Sequence, residues 1–298
     1  MTRLNGFVPP IATPFRGGAL DLRSFARLMD HLAEHVSGYL VGGSVGEVPS
    51  LTLDERAMLM RAAAGQRPSG HFLAVSVSDN AVGNTRVLSE VAGEVGADVL
   101  MLSCPNYYAN DLQMLIEYFG AVGDFASADI CLYDNPLASH TALSVADIKA
   151  IADAVPRVTH IKVTDTAIGK VASLREATDL VMCAGDDAVL WNQLTGGVDA
   201  AMVALPMIAP EIAARLWTAY ERRAMDDAFT AYAHVAPFLH SSLGAADYVG
   251  VIKTVLHHRG VIESAELRLP LVALPAAREA EVVAAVASLE AAVATGRA

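Results

Sequence analysis

Short apolar runs rich in Val, Ile and Leu recur along the chain, each ending in small or polar residues and most followed by a stretch with helical period. Eight such runs can be read: Phe7 to Ala12, Gly38 to Gly42, Phe72 to Val77, Asp98 to Leu102, Asp129 to Tyr133, Thr159 to Val163, Leu180 to Cys183 and Asp199 to Leu205. Their brevity and near-continuous apolar character predict strands buried on both faces, as in a parallel sheet covered by helices. Between the first two runs, Phe25, Leu28, Met29, Leu32 and Val36 recur at helical spacing, and Gly38 is placed to end that helix. After the second run, Thr52-Leu53-Asp54-Glu55 has the Thr-x-x-Glu spacing of a capping box, so a helix is expected to start there and end near Gly65.

Eight buried parallel strands with helical crossovers close most economically into a (β/α)8 TIM barrel, although an open doubly wound sheet uses the same local pattern. Beyond Pro210 no further βα unit follows, only helical segments such as the last, with Val282, Val286, Leu289 and Val293 on one face. The expected organisation is therefore a barrel core over 1–210. Additional C-terminal helices over 211–298 would pack on it as one structural unit or meet another subunit.

Composition narrows the partners. Lys plus Arg total 21 against 33 Asp plus Glu, a formal net charge of −12, which disfavours nucleic acid and anionic membrane surfaces alike. No stretch approaches the length of an apolar membrane span, and the opening Met1-Thr2-Arg3-Leu4-Asn5-Gly6 lacks the apolar core of a signal peptide, so a cytoplasmic protein is expected. Cys104, Cys131 and Cys183 are far apart and show no metal-ligand spacing, which reads as three reduced, buried thiols. An anionic small molecule remains compatible with the acidic chain, because one lysine and a few backbone N–H groups can make a site locally positive.

Lys162 stands inside the sixth run, in Thr159-His160-Ile161-Lys162-Val163-Thr164, where a charged ammonium would be costly to desolvate. Burial favours the neutral amine, which can attack a carbonyl; the plainer reading is a strand-end lysine that reaches water or pairs with Asp165. Tyr133 ends the fifth run, and period-2 alternation can turn it inward at the same carboxyl-terminal rim, where barrel active sites lie. A phenol there could carry protons, or could be an ordinary half-buried aromatic. The loop Gly42-Gly43-Ser44-Val45-Gly46-Glu47 follows the second run; its glycines permit tight turns that expose N–H groups to a carboxylate, but it lacks the Gly-Lys-Ser/Thr end of a phosphate-binding loop.

Together, the Gly-x-x-Gly-Glu loop at Gly43 to Glu47, the Tyr-x-x-Pro of Tyr133 to Pro136 and Ile161-Lys162 about thirty residues later resemble the dihydrodipicolinate synthase / N-acetylneuraminate lyase family. The resemblance covers Gly6 to about Pro210 and, more loosely, the C-terminal helices. It implies a Schiff-base lysine at Lys162, an acid/base at Tyr133, and a linking hydroxyl at Ser44. The second tyrosine would be Tyr107, which in many members reaches into a neighbouring subunit, with Tyr108 as the alternative. Gly43 and the backbone N–H of Val45 would hold the substrate carboxylate. Asn135 and His140 would meet substrate hydroxyls, and Gly185, in the family-like Gly185-Asp186-Asp187, and Val203 would complete the substrate contacts.

Several departures bear on the substrate. Val45 replaces the usual second hydroxyl of the glycine loop, and Ala138 replaces the arginine that dihydrodipicolinate synthases carry two residues after the proline. Asn135 is polar where those synthases are apolar, and Val163 replaces the usual acidic residue after the lysine. The implied activity is a class I lyase, an aldolase or a dehydratase, acting on pyruvate or a 2-oxo acid such as a 2-keto-3-deoxy sugar acid. It needs no cofactor or metal, because the protonated imine is the electron sink. A homodimer or homotetramer is implied. The alternatives are an authentic dihydrodipicolinate synthase, a non-catalytic 2-oxo acid binder, and a metal-dependent barrel using Glu47, Asp134, Asp186 and Asp187. For the last, the absence of His-rich ligation counts against a site. His257 and His258, beside Arg259 and Gly260, read as cations at a helix C-terminus.

Overall fold

The structure, a computed structural model, describes residues 4–294. The eight apolar runs form eight parallel strands: β1 Gly6–Phe7, β2 Gly38–Val41, β3 Phe72–Ser76, β4 Val99–Ser103, β5 Asp129–Asp134, β6 Val158–Val163, β7 Val181–Ala184 and β8 Ala200–Ala201. Each strand pairs with its sequence neighbours, and β8 pairs back onto β1. The circle closes between β1 and β2 through Ser37 N to Phe7 O, Leu40 N to Pro9 O and Ile11 N to Leu40 O, each 2.9 Å. The fold is thus a (β/α)8 TIM barrel.

The β1 ladder is shorter than the run Phe7 to Ala12 because Pro9 and Pro10 have no N–H to donate, leaving isolated bonds where a ladder would run. The eighth run also stops pairing early. Asp187 accepts hydrogen bonds from Ala204 N and Leu205 N at 2.8 Å each, and the chain turns into a short helix at Leu205–Ile208.

Covering helices follow the strands: α1 Leu22–Leu32, α2 Leu53–Gln66, α3 Val82–Glu94, α4 Leu112–Gly123, α5 Val145–Ala154, α6 Lys170–Ala177, α7 Leu190–Thr195 and α8 Pro210–Glu221. The Thr52 capping box forms as the spacing predicts: Glu55 N donates to Thr52 Oγ1 and Thr52 N to Glu55 Oε2. Gly38 does not end α1, which stops at Leu32. It opens β2 instead, where a Cβ would lie 2.2 Å from Phe72 O, so glycine is needed for the approach of β2 to β3. A hairpin of Phe15–Arg16 with Ala19–Leu20, turning at Gly17-Gly18, was not among the predicted elements.

Alternation along the strands divides the core in two. Leu40, Ala74, Met101, Cys131, Cys183 and Met202 fill the barrel interior, whereas Leu100, Leu102, Leu132, Ile161 and Val163 pack outward against the helices. Val163 therefore belongs to the outer layer and not to the barrel mouth. All three cysteines are buried and free.

The C-terminal helices α9 Met225–Phe238, α10 Tyr248–His258 and α11 Ala276–Ala294 pack against the barrel's last helices and one another. Val282, Val286 and Leu289 of α11 are buried; the side chain of Val293 lies outside the described residues. His257 and His258 occupy the last turn of α10, and Gly260 follows in the left-handed region. The segment after α10 clasps the glycine loop. Arg268 reaches both carboxylate oxygens of Glu55, at 2.6 and 2.7 Å, and its backbone N–H donates to Glu47 Oε2 at 2.9 Å. Among the described residues no helix is long and apolar enough to cross a membrane.

Candidate active site

The register of β5 against β6 sets Tyr133 beside Lys162 near the carboxyl ends of their strands, both directed into the barrel. Lys162 is 3% exposed and Tyr133 6%, and the lysine Nζ lies 4.3 Å from the tyrosine ring centroid. Asp165 is not its partner: it pairs with Lys170 at 2.6 Å, and Lys170 also holds the buried Asp134 at 2.7 Å. Among the described residues Lys162 has no carboxylate at ion-pair distance, and its Nζ faces the Tyr133 ring.

Ser44 comes from the loop after β2, and its Oγ is 3.4 Å from the Tyr133 phenol oxygen. The loop is held tightly. Gly42 has φ +73°, Thr13 Oγ1 donates to Gly46 O at 2.7 Å, and a Cβ on Gly46 would come within 3.1 Å of Ile11 O. Glu47 takes a left-handed conformation, unusual for a residue with a side chain, and its fully buried carboxylate pairs with the equally buried Lys253. Lys253 donates in turn to Glu266 O at 2.7 Å. These contacts anchor the residue three positions after Ser44 to the C-terminal helices.

Asn135, buried at the end of β5, donates from Nδ2 to the Tyr133 phenol oxygen at 2.9 Å. Burial pushes the Tyr133 phenol up, but the Lys162 charge and hydrogen bonds to Ser44, Thr164 and Asn135 outweigh it and hold the group below its ordinary value. A second phenol, that of Tyr248 at the start of α10, lies near this group; burial and the nearby Tyr133 push it upward. Sequence reading missed Tyr248, which lies in a segment without βα periodicity, more than a hundred residues from Tyr133.

The remaining expected residues fall into two groups. Gly43 lines the cavity described below, Val45 packs into the outer core, and Gly185 lies where a Cβ would meet Thr164 Oγ1 at 2.4 Å. Val203 is buried beside Asp187, whose carboxyl is raised to about 7, chiefly by burial. Tyr107 and Tyr108 do not join Ser44 within the chain: they stand 80% and 71% exposed, ring edge against ring face. His140 is exposed, at φ +54°, closing the helical turn Pro136–Ser139. Of the carboxylates in the metal alternative, Glu47, Asp134 and Asp187 each bind a protein group.

A cavity of about 310 Å³ opens beside Tyr133, with a largely uncharged polar wall that includes Ser44, Ser78, Asn80, Asn106, Asn135 and Ser139. Ala138 also lines it. Arg56 does too, but its guanidinium is engaged: Nη2 donates to Ser76 O and Ser78 O at 3.1 Å, and Nη1 is 3.6 Å from Asp79. Arg157 pairs with Asp129, at the opposite end of β5 from Tyr133.

Residues 3–289 match the model of the Dihydrodipicolinate synthetase family. The chain belongs to that family. Members of the dihydrodipicolinate synthetase family are lyases, and the resemblance read from Lys162, Tyr133 and the glycine loop holds at the level of the whole chain. The chain is 30% identical, over 94% of its length and 96% of the relative's, to a 4-hydroxy-tetrahydrodipicolinate synthase of Bdellovibrio bacteriovorus. Its fold matches the 4-hydroxy-tetrahydrodipicolinate synthase of Methylacidiphilum fumariolicum SolV with a TM-score of 0.92 at 24% identity, over 98% of both chains. It also matches YagE, a prophage protein of this family from E. coli K12 solved in complex with pyruvate. That match has a TM-score of 0.90 at 25% identity, over 96% of this chain and 98% of YagE.

Proposed function

We propose that this protein is a class I lyase that binds a 2-oxo acid as a Schiff base on Lys162, acting as an aldolase or dehydratase on a hydroxylated substrate such as a 2-keto-3-deoxy sugar acid. The observation that carries the reading is the buried Lys162 amine 4.3 Å from the ring centroid of Tyr133, the two residues standing side by side on adjacent strands. The pyruvate complex of YagE supports a 2-oxo acid as ligand.

In this mechanism the Lys162 amine adds to the C2 ketone, Tyr133 delivers the proton with which the carbinolamine oxygen leaves as water, and an iminium results. In an aldol cleavage the C4 hydroxyl loses its proton and the C3–C4 electron pair flows to the iminium, giving an enamine that is protonated and hydrolysed to pyruvate. In a dehydration C3 loses a proton and the enamine expels the C4 hydroxyl as water. Ser44 is the hydroxyl bonded to Tyr133, with the Tyr248 phenol near the site. No metal or organic cofactor enters these steps, since the iminium holds the electrons. A protein that only bound 2-oxo acids would have no use for a buried amine beside a hydrogen-bonded phenol.

The full-length relative named as a 4-hydroxy-tetrahydrodipicolinate synthase makes that activity the second reading. Ala138 argues against it. The aldehyde substrate's carboxylate would meet a methyl group where those synthases offer arginine, and Arg56 and Arg157 are committed elsewhere. Losing a bidentate arginine contact costs a few kcal/mol, on the order of a hundredfold in kcat/KM. Condensation of pyruvate with aspartate semialdehyde is therefore expected to be weak, and release of pyruvate from a panel of hydroxylated 2-oxo acids, or their dehydration, to be faster. Efficient condensation in a coupled assay, with no turnover across the panel, would reverse the order of the two readings.

The exposed Tyr107, Tyr108 and Leu137 lie on the loops after β4 and β5, at the barrel mouth, and favour a homo-oligomer in which Tyr107 approaches a neighbouring subunit's site. Light scattering is expected to give the mass of a dimer or tetramer. A monomer at micromolar concentration would leave Tyr248 as the second phenol of the site.

A further inference from the structure

Asn135 lines the cavity, and its amide is also engaged within the protein. Its side chain is bonded at both ends: Oδ1 accepts from the backbone N–H of Ala138 at 3.3 Å, capping the turn Pro136–Ser139, and Nδ2 donates to the Tyr133 phenol oxygen at 2.9 Å. The backbone donor fixes which way the amide faces, because an N–H cannot be met by the amide's own NH₂. The Tyr133 oxygen must therefore accept from Asn135, and its own proton must point elsewhere. Among the described residues, the hydroxyl in hydrogen-bonding contact with the phenol is Ser44 Oγ, at 3.4 Å.

We propose that Asn135 is a positioning residue that fixes the direction of proton transfer at Tyr133, stabilising its phenolate through a buried amide donor and aiming its O–H towards Ser44. The proposal rests on the Schiff-base reading for its catalytic meaning but not for its effect on the phenol. The charged and titratable groups facing Tyr133 are Lys162 from β6 and Tyr248 from α10; Ser44, Thr164 and Asn135 supply uncharged hydrogen bonds. Asn135 is the one among these with a donor that cannot turn into an acceptor, since its oxygen is held by the turn. A hydrogen bond to a charged acceptor is worth enough to change a rate roughly 10- to 100-fold and an ionisation by on the order of one pH unit.

Two substitutions separate this role from the cap. Asn135→Asp keeps an oxygen for Ala138 N and removes the donor, whereas Asn135→Leu removes both. Phenolate difference absorbance, taken as each protein minus its Tyr133→Phe counterpart, reads the ionisation of Tyr133 without substrate. Tyr133 is expected to ionise about one pH unit or more higher in both variants, and kcat at neutral pH to fall roughly 10- to 100-fold with KM changed only a few-fold. Borohydride trapping with pyruvate should still label Lys162. A Tyr133 titration that matches wild type in both variants overturns the proposal, as does a loss of kcat in Asn135→Leu that Asn135→Asp restores in full, since that marks the cap alone. If wild type itself gives no adduct at Lys162, the Schiff-base reading fails while the titration still decides the role of Asn135.

Discussion

Lys162→Met is expected to lower turnover of any 2-oxo acid substrate by on the order of 10⁴-fold or more, because no second amine can take over the covalent step. Of the other buried lysines, Lys170 is bound to Asp134, Asp165 and Leu143 O, and Lys253 to Glu47 and Glu266 O. Methionine fills nearly the same volume and removes the cost of a buried amine, so the variant should fold and retain the barrel. Steady-state kinetics together with circular dichroism check both halves of the expectation. Turnover within tenfold of wild type would mean that the covalent group is elsewhere or that the reaction has no covalent intermediate.

Tyr133→Phe should have the next largest effect, lowering kcat by about 10²–10⁴ with a much smaller change in KM. The ring survives this change, so its contact with the Lys162 amine at 4.3 Å and its packing in the barrel interior are kept. Only the hydroxyl is lost, and with it the bonds to Ser44 and Asn135. In the proposed mechanism the phenol assists departure of water from the carbinolamine, so imine formation measured by stopped flow should slow in parallel with kcat. Near-native turnover would assign proton transfer to another group, with Tyr248 the first to test.

The βα series was legible because parallel strands buried on both faces must be apolar throughout, and those runs are short and well separated here. Barrel closure was not legible locally. It depends on the pairing of β1 with β8 and on the bonds around Pro9 and Leu40, which no sequence window contains. Gly38 shows a second kind of blindness: glycine after an apolar helix pattern ends a helix or admits a neighbouring strand, and only the 2.2 Å approach of Phe72 O distinguishes them. The hairpin at Gly17-Gly18 did carry a two-glycine turn signal and could have been found. At the candidate site, Lys162 and Tyr133 could be read because a lysine and a tyrosine at strand ends are conspicuous against their surroundings. Tyr248 had no such contrast, and the bond from the Asn135 amide to Tyr133 could not be read from their spacing.

Borohydride reduction in the presence of pyruvate, followed by mass spectrometry of the Lys162 peptide, tests the central claim most directly. Reduction of an iminium leaves a stable secondary amine, and the expected result is one pyruvate-derived adduct per chain, placed on Lys162 and absent from Lys162→Met. An adduct confined to other lysines, or none with pyruvate and larger 2-oxo acids on folded protein, would contradict the account.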